Sequence, residues 1–167
     1  IILGENYDGN INLANYVECE IKYRGMEGKE LRISATNAGR VSKKITVESG
    51  ALRFTGSSSN KTKCNGNNII LVEKSGKVYG SNALFHAIQA SDGGVFSITG
   101  TSDLPTTITT SENATNIIKN GAVLDFKLNS ADKYSYLNCK GTLTFYDGGI
   151  LRVRLGDGFT PAAGTEF

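Results

Sequence analysis

Residues 146–157 read YDGGILRVRLGD, and this stretch decides the fold. A Gly148-Gly149 pair leads into a strict alternation. Leu151, Val153 and Leu155 fall on one face, Arg152 and Arg154 on the other. Period-two alternation marks a strand with one buried face. Glycine, which tolerates positive φ, can make the corner before it. Similar phrases recur upstream: DGNIN from Asp8, EGKELRIS from Glu27, SGALRFT from Ser49, SGKVYGS from Ser75, DGGVFSIT from Asp92 and NGAVLDFKL from Asn120. Their glycines, Gly9, Gly28, Gly50, Gly76, Gly93, Gly121 and Gly148, lie 17 to 28 residues apart. Residues 75–81 form the weakest copy.

A second apolar segment lies just before most of these glycines: Ile45 and Val47, residues 69–72, residues 85–88, Ile117 and Ile118, and Leu143 and Phe145. Each unit is therefore strand, glycine turn, strand, then a polar connection of variable length. One such unit cannot bury its apolar face, but units stacked about 4.8 Å apart can. The spacing fits one coil of a parallel β-helix. The expected fold is all-β: a single-stranded, right-handed parallel β-helix, or β-solenoid, of about six to seven coils. Residues 1–167 read as one domain and as a fragment of a longer chain. The longest connections, 57–68, 99–115 and 129–140, are expected to be solvated loops. A jelly-roll β-sandwich is the competing architecture, because DG and NG also close hairpins. Recurrence of one phrase in one order favours the solenoid. Residues 81–90 read equally as a single helical turn or a strand.

Composition excludes several classes. The chain of 167 residues carries 39% apolar residues, 20 Gly and only 2 Pro, which suits short strands and tight turns. Net charge is +2 and the basic residues are dispersed, so no nucleic-acid footprint is visible. No run approaches the roughly 18 apolar residues of a membrane helix. Cys19, Cys64 and Cys139 show no CxxC spacing, and His86 is the lone histidine, so neither a zinc site nor another cofactor is expected. The cysteines read as small apolar interior residues. Cys19 alternates with Val17, Ile21 and Tyr23, and the odd count leaves at least one free thiol.

The ending DGGILRVRLGDGFTPAAGTEF resembles the closing phrase of bacterial secreted proteins with autotransporter-associated β-strand repeats. In these a GG-x-L-x-V-x-L unit is followed by a GFTP-x-x-G-x-x-F turn. The matching positions are Gly148, Gly149, Leu151, Val153 and Leu155, then Gly158, Phe159, Thr160, Pro161, Gly164 and Phe167. Residues 1–15 and 75–81 depart from the pattern. The resemblance implies a parallel β-helix exported to the cell surface or beyond, acting as an adhesin or structural spacer. Its expected partners are a cell-surface polysaccharide or a protein of a host or neighbouring cell. It carries no catalytic residue across.

Because parallel β-helices also degrade or bind polysaccharides, acid/base residues matter. Glycoside chemistry needs two carboxylates facing one bond, and the sequence has no adjacent acidic pair. Turn duty explains Asp92 and Asp147, and Asp125 falls on an outward face. Asp147 and Asp157 with Arg152 and Arg154 form the weaker alternative of a calcium-dependent patch. His86, in ALFHAI, reads as a partly buried structural residue. The Thr-rich stretch 106–115 reads as an exposed strand or loop, not an ice-binding ladder, since it does not recur. The sequons at Asn60 and Asn113 mark exposed loops. The candidate ligand contacts are Tyr134 and Tyr136, as a sugar-stacking platform, and Arg152 and Arg154. The tyrosines compete with a role shielding the solenoid edge. The arginines, without matching basic residues in other copies, are expected to face solvent.

Overall fold

A computed structural model describes residues 1–12, 16–17, 20–34, 40–41, 43–56, 62–63, 69–98 and 107–166. It is an all-β parallel solenoid. The first sheet has seven strands: β1 (Ile2–Leu3), β4 (Ile21–Arg24), β7 (Ile45–Ser49), β10 (Ile69–Val72), β13 (Ala87–Ala90), β16 (Thr115–Ile118) and β19 (Thr142–Phe145). The second sheet also has seven: β2 (Gly9–Asn12), β5 (Glu30–Ser34), β8 (Ala51–Thr55), β11 (Lys77–Ser81), β14 (Val95–Ile98), β17 (Val123–Leu128) and β20 (Ile150–Leu155). The third side holds a pair, β3 (Tyr16–Val17) with β6 (Arg40–Val41), and a four-stranded sheet of β9 (Thr62–Lys63), β12 (Ala83–Phe85), β15 (Thr107–Thr110) and β18 (Tyr136–Asn138). Every pairing between these strands is parallel. A jelly roll, which needs antiparallel sheets, is thereby excluded.

Side chains of like chemistry stack rung on rung. Ile21, Ile45, Ile70 and Ile88 form one inward ladder of the first sheet. Leu31, Leu52, Val78, Phe96 and Leu124 form an inward ladder of the second. All nine are buried. Aromatic stacking fills the middle, with Phe85 4.7 Å from Phe54 and edge-on to Phe96 at 6.3 Å.

The DG and NG signals are real turns, but they join strands of different sheets rather than hairpin partners. Asp92-Gly93, Asn120-Gly121 and Asp147-Gly148 each place two successive residues at positive φ. Neighbouring corners are bonded together: the Asn120 amide Nδ2 donates to Asp92 Oδ1 at 3.0 Å, and Asn120 N donates to the Asp147 carbonyl at 3.0 Å. Asp92 and Asp147 thus perform the turn duty expected of them.

Several expectations are refined. The connections 57–68, 99–115 and 129–140, expected to be solvated loops, carry β9, β15 and β18 of the third side, which are too short to betray an alternation. The threonine stretch contributes β15, in which Ile108 and Thr110 are buried. Residues 81–90 are strand on either side of a half-buried His86. The weak copy at 75–81 forms a full strand, with Gly80 paired to Phe54. A Cβ at Gly80 would lie 2.3 Å from the Phe54 carbonyl oxygen, so an apolar rung is excluded there. Cys139 is a free, half-buried thiol, while Cys19, Cys64 and Asn60 lie outside the described residues.

Candidate functional site

Outward positions of the second sheet form their own ladder: Asn10, Arg32, Arg53, Tyr79, Ser97, Asp125 and Arg152. Arg32 and Arg53 therefore occupy the same place in their coils as Arg152, contrary to the expectation that the other copies lack basic counterparts. The match is hidden because the intervening rungs are Tyr, Ser and Asp.

Arg152 and Arg154 do not simply face solvent. They close over Asp125 from the next coil. Arg152 Nε donates to Asp125 Oδ1 at 2.7 Å, and Arg154 donates through Nε at 2.9 Å and Nη2 at 2.6 Å. From the opposite side the Ser97 hydroxyl donates to Oδ2 at 2.7 Å. Asp125 is on the outward face, as expected, yet is only 1% exposed. Burial raises its pKa, but the hydrogen bonds from Arg154, Arg152 and Ser97 outweigh burial and hold it at about 2. The same carboxylate raises the pKa of Arg154.

Two further carboxylates act in the same way. Glu48 is the extra residue of a bulge where the β4–β7 register shifts. It binds Lys22 at 2.8 Å, Arg24 at 2.9 Å and Lys74 at 3.1 Å. Hydrogen bonds from Lys22, Arg24 and Lys74 hold its pKa at about 2. Glu30 pairs with Arg32 at 2.6 Å and Arg53 at 3.9 Å, and accepts a hydrogen bond from the Tyr79 hydroxyl. The Lys77 ammonium lies 5.1 Å from the centre of the Tyr79 ring. Glu30, Lys77, Tyr79 and Lys29 line a corner groove of about 550 Å³. Each network ties residues from different coils, so a carboxylate in one coil staples its neighbours.

Tyr134 and Tyr136 lie 6.4 Å apart at the terminal coil and line a different groove, also of about 550 Å³. Its floor is apolar: Leu124, Phe126, Leu143, Phe145, Leu151 and Val153. The ring pair is separate from the Asp125 clamp, so the four candidate contacts are not one site. The groove is the open end of the core. Leu124 is fully buried, whereas Leu151, next on its ladder, is 57% exposed and Val153 54%.

Among the described residues no group of three or more His, Cys, Asp or Glu could hold a metal ion. No described helix is long and apolar enough to cross a membrane. No protein-family model, curated protein or solved structure matches the chain.

Sequence reasoning missed Asn116, which occupies a fully buried inward position of the first sheet. Its Oδ1 accepts from Ile88 N at 2.9 Å, and Nδ2 donates to the Thr142 carbonyl at 2.9 Å, with Cys139 Sγ at 3.2 Å and Thr110 Oγ1 at 3.4 Å. The bonded atoms belong to four segments, which makes Asn116 a fastener between coils. The only sequence signal was an asparagine beginning the apolar pair Ile117-Ile118.

Proposed function

We propose that the chain is a non-enzymatic structural spacer of a secreted or cell-surface protein of the autotransporter-passenger type. One observation carries this reading: Glu48, Glu30 and Asp125, whose side chains are only 9%, 13% and 1% exposed, each bind at least one cation from a neighbouring coil. Such groups stiffen the stack. A general acid would need a raised pKa and a clear approach to substrate, whereas Glu48 and Asp125 are held at about 2. A rod of in-register coils transmits position along its axis, which is what a spacer does.

Protease treatment of intact source cells, read with an antibody to this chain, tests the location. Loss of the antigen without lysis is the expected outcome, and a fully protected antigen would refute surface display. Incubation with acidic and neutral polysaccharides tests the chemistry, since release of new reducing or unsaturated ends would refute the non-enzymatic reading. Carbohydrate contact is a second reading, favoured by the corner groove where Tyr79 is flanked by Lys77 and Glu30. Binding on a glycan array that Tyr79→Ala abolishes would support it.

A further inference from the structure

We infer, on the reading of the corner groove as a carbohydrate contact, that its ligand is an acidic polysaccharide, with one sugar ring on Tyr79 and the anionic group of that sugar between Lys29 and Lys77. The groove lies within the stack, at the corners that lead into β5, β8 and β11, away from the first and last strands of either sheet. It exists because the middle coil is small. Glu30, Ala51 and Lys77 are successive rungs of one outward column. Ala51 N donates to the Lys29 carbonyl at 3.1 Å, and Lys77 N to the Gly50 carbonyl at 2.9 Å. Gly50 and Ala51 form the floor, and Gly50 has no room for a side chain, since a Cβ there would stand 2.9 Å from Gly25 Cα. Lys29 and Glu30 make one wall and Lys77 and Tyr79 the other, two rungs or about 10 Å apart. At about 550 Å³ the space has the size of a small-ligand site.

Tyr79 is set in place before any ligand arrives. Its hydroxyl donates to Glu30, two coils away, and Glu30 is held in turn by Arg32 at 2.6 Å and Arg53 at 3.9 Å. The tyrosine side chain therefore crosses the intervening coil with both ends fixed. A ring fixed in advance loses little freedom on binding, and its negative face attracts the C–H side of a sugar. The Lys77 ammonium lies 5.1 Å from the ring centre. Lys77 is exposed, so this contact is weak and the lysine is free to move onto a bound anion.

Charge selects an anion. Glu30 is already matched by its arginines, and of the other charged groups in the lining Lys29 and Lys77 outnumber Glu27. Among the described residues Lys77 has no carboxylate partner, and Lys29 reaches only Asp8, at 4.0 Å. A carboxylate or sulfate on the sugar gains charge-assisted hydrogen bonds from both lysines, while Glu27 accepts from sugar hydroxyls. An acidic peptide would satisfy the lysines but not the ring.

The test is isothermal titration calorimetry of the whole chain at low ionic strength with oligogalacturonate, its fully methyl-esterified form, a sulfated galactan oligosaccharide and polyglutamate. The two acidic sugars alone should bind, and the tighter of them names the anionic group. Lys29→Gln and Lys77→Gln should each weaken binding about tenfold. Tyr79→Ala should weaken it by about the same factor, and Lys119→Gln, in the coil of β16, should leave it unchanged. If Tyr79→Ala fails to fold, the lysine variants and the methyl ester decide. Equal binding of the methyl ester overturns the acidic ligand and leaves the carbohydrate contact standing. Polyglutamate binding as tight as that of the sugars, or an equal loss in Lys119→Gln, overturns the sugar site. Binding of no probe overturns the inference, and a blank glycan array would then remove the carbohydrate reading as well. None of these outcomes touches the spacer.

Discussion

Replacing Asp125 by Asn should loosen the terminal coil before it unfolds the rest. β20 has no outer neighbour, and all six of its residues are exposed. It is held by its ladder to β17 and by the clamp of Arg152 and Arg154 on Asp125. The carboxyl lies at about 2 against an ordinary 3.8. At about 1.36 kcal/mol per pKa unit, ionisation of this group is linked to about 2 kcal/mol of folding free energy. The two arginine side chains are 46% exposed and can be hydrated when the carboxylate is neutralised. Solvent screening therefore lowers the expected loss at pH 7 to about 1–2 kcal/mol. The folded-state pKa is depressed, so this stability is present above about pH 4 and disappears as pH falls towards 2. Urea unfolding at pH 7 should show the loss in Asp125→Asn, and the difference from the unaltered chain should shrink towards pH 2. Hydrogen exchange should show faster exchange across residues 150–155 and little change across β7 and β10. Equal stability at pH 7, or loosening spread evenly over all coils, would refute the clamp.

Three other substitutions probe the remaining fasteners. Glu48→Gln leaves Lys22, Arg24 and Lys74 without their shared anion, so stability should fall by about 1–3 kcal/mol at neutral pH, with a flatter acid limb between pH 4.5 and 2 in a denaturant titration. Gly80→Ala must place a Cβ 2.3 Å from the Phe54 carbonyl at a φ of 140°, and thermal unfolding should report a loss of about 2–4 kcal/mol. Asn116→Leu keeps the branched shape but strands Ile88 N–H and the Thr142 carbonyl. Urea unfolding should register a loss of about 2–3 kcal/mol, with exchange of the Ile88 amide accelerated.

Much of this solenoid was legible because a corner leaves a strong mark. Gly28, Gly50, Gly93, Gly121 and Gly148 all sit at positive φ between a strand of the first sheet and one of the second, and only a few residue types tolerate that geometry. The inward rungs were legible for the same reason, since alternation of Leu31 with Ile33, or Leu52 with Phe54, is imposed by the pleat. The third side was not, because two- to four-residue strands such as Thr62–Lys63 and Tyr136–Asn138 are too short for alternation to stand out. Asp125 was placed on the correct face, but its burial depends on arginines 27 and 29 residues later in the chain, and a local pattern contains no such information. Asn116 and Gly80 break the apolar rule at inward positions, where only the neighbouring coil explains them. Tyr134 and Tyr136 were singled out for their aromatic character, and in the fold they border the open end of the core.

Distances along one outward ladder test the central claim, a stack of in-register parallel coils, most directly. Spin labels placed pairwise at Asn10 and Tyr79, and at Asn10 and Arg152, span three and six rungs. With labelled chain diluted into unlabelled chain, double electron–electron resonance should give separations near 14 Å and 29 Å, at about 4.8 Å per rung, with narrow distributions. A separation that fails to grow in proportion to rung number would contradict the solenoid and the spacer built on it.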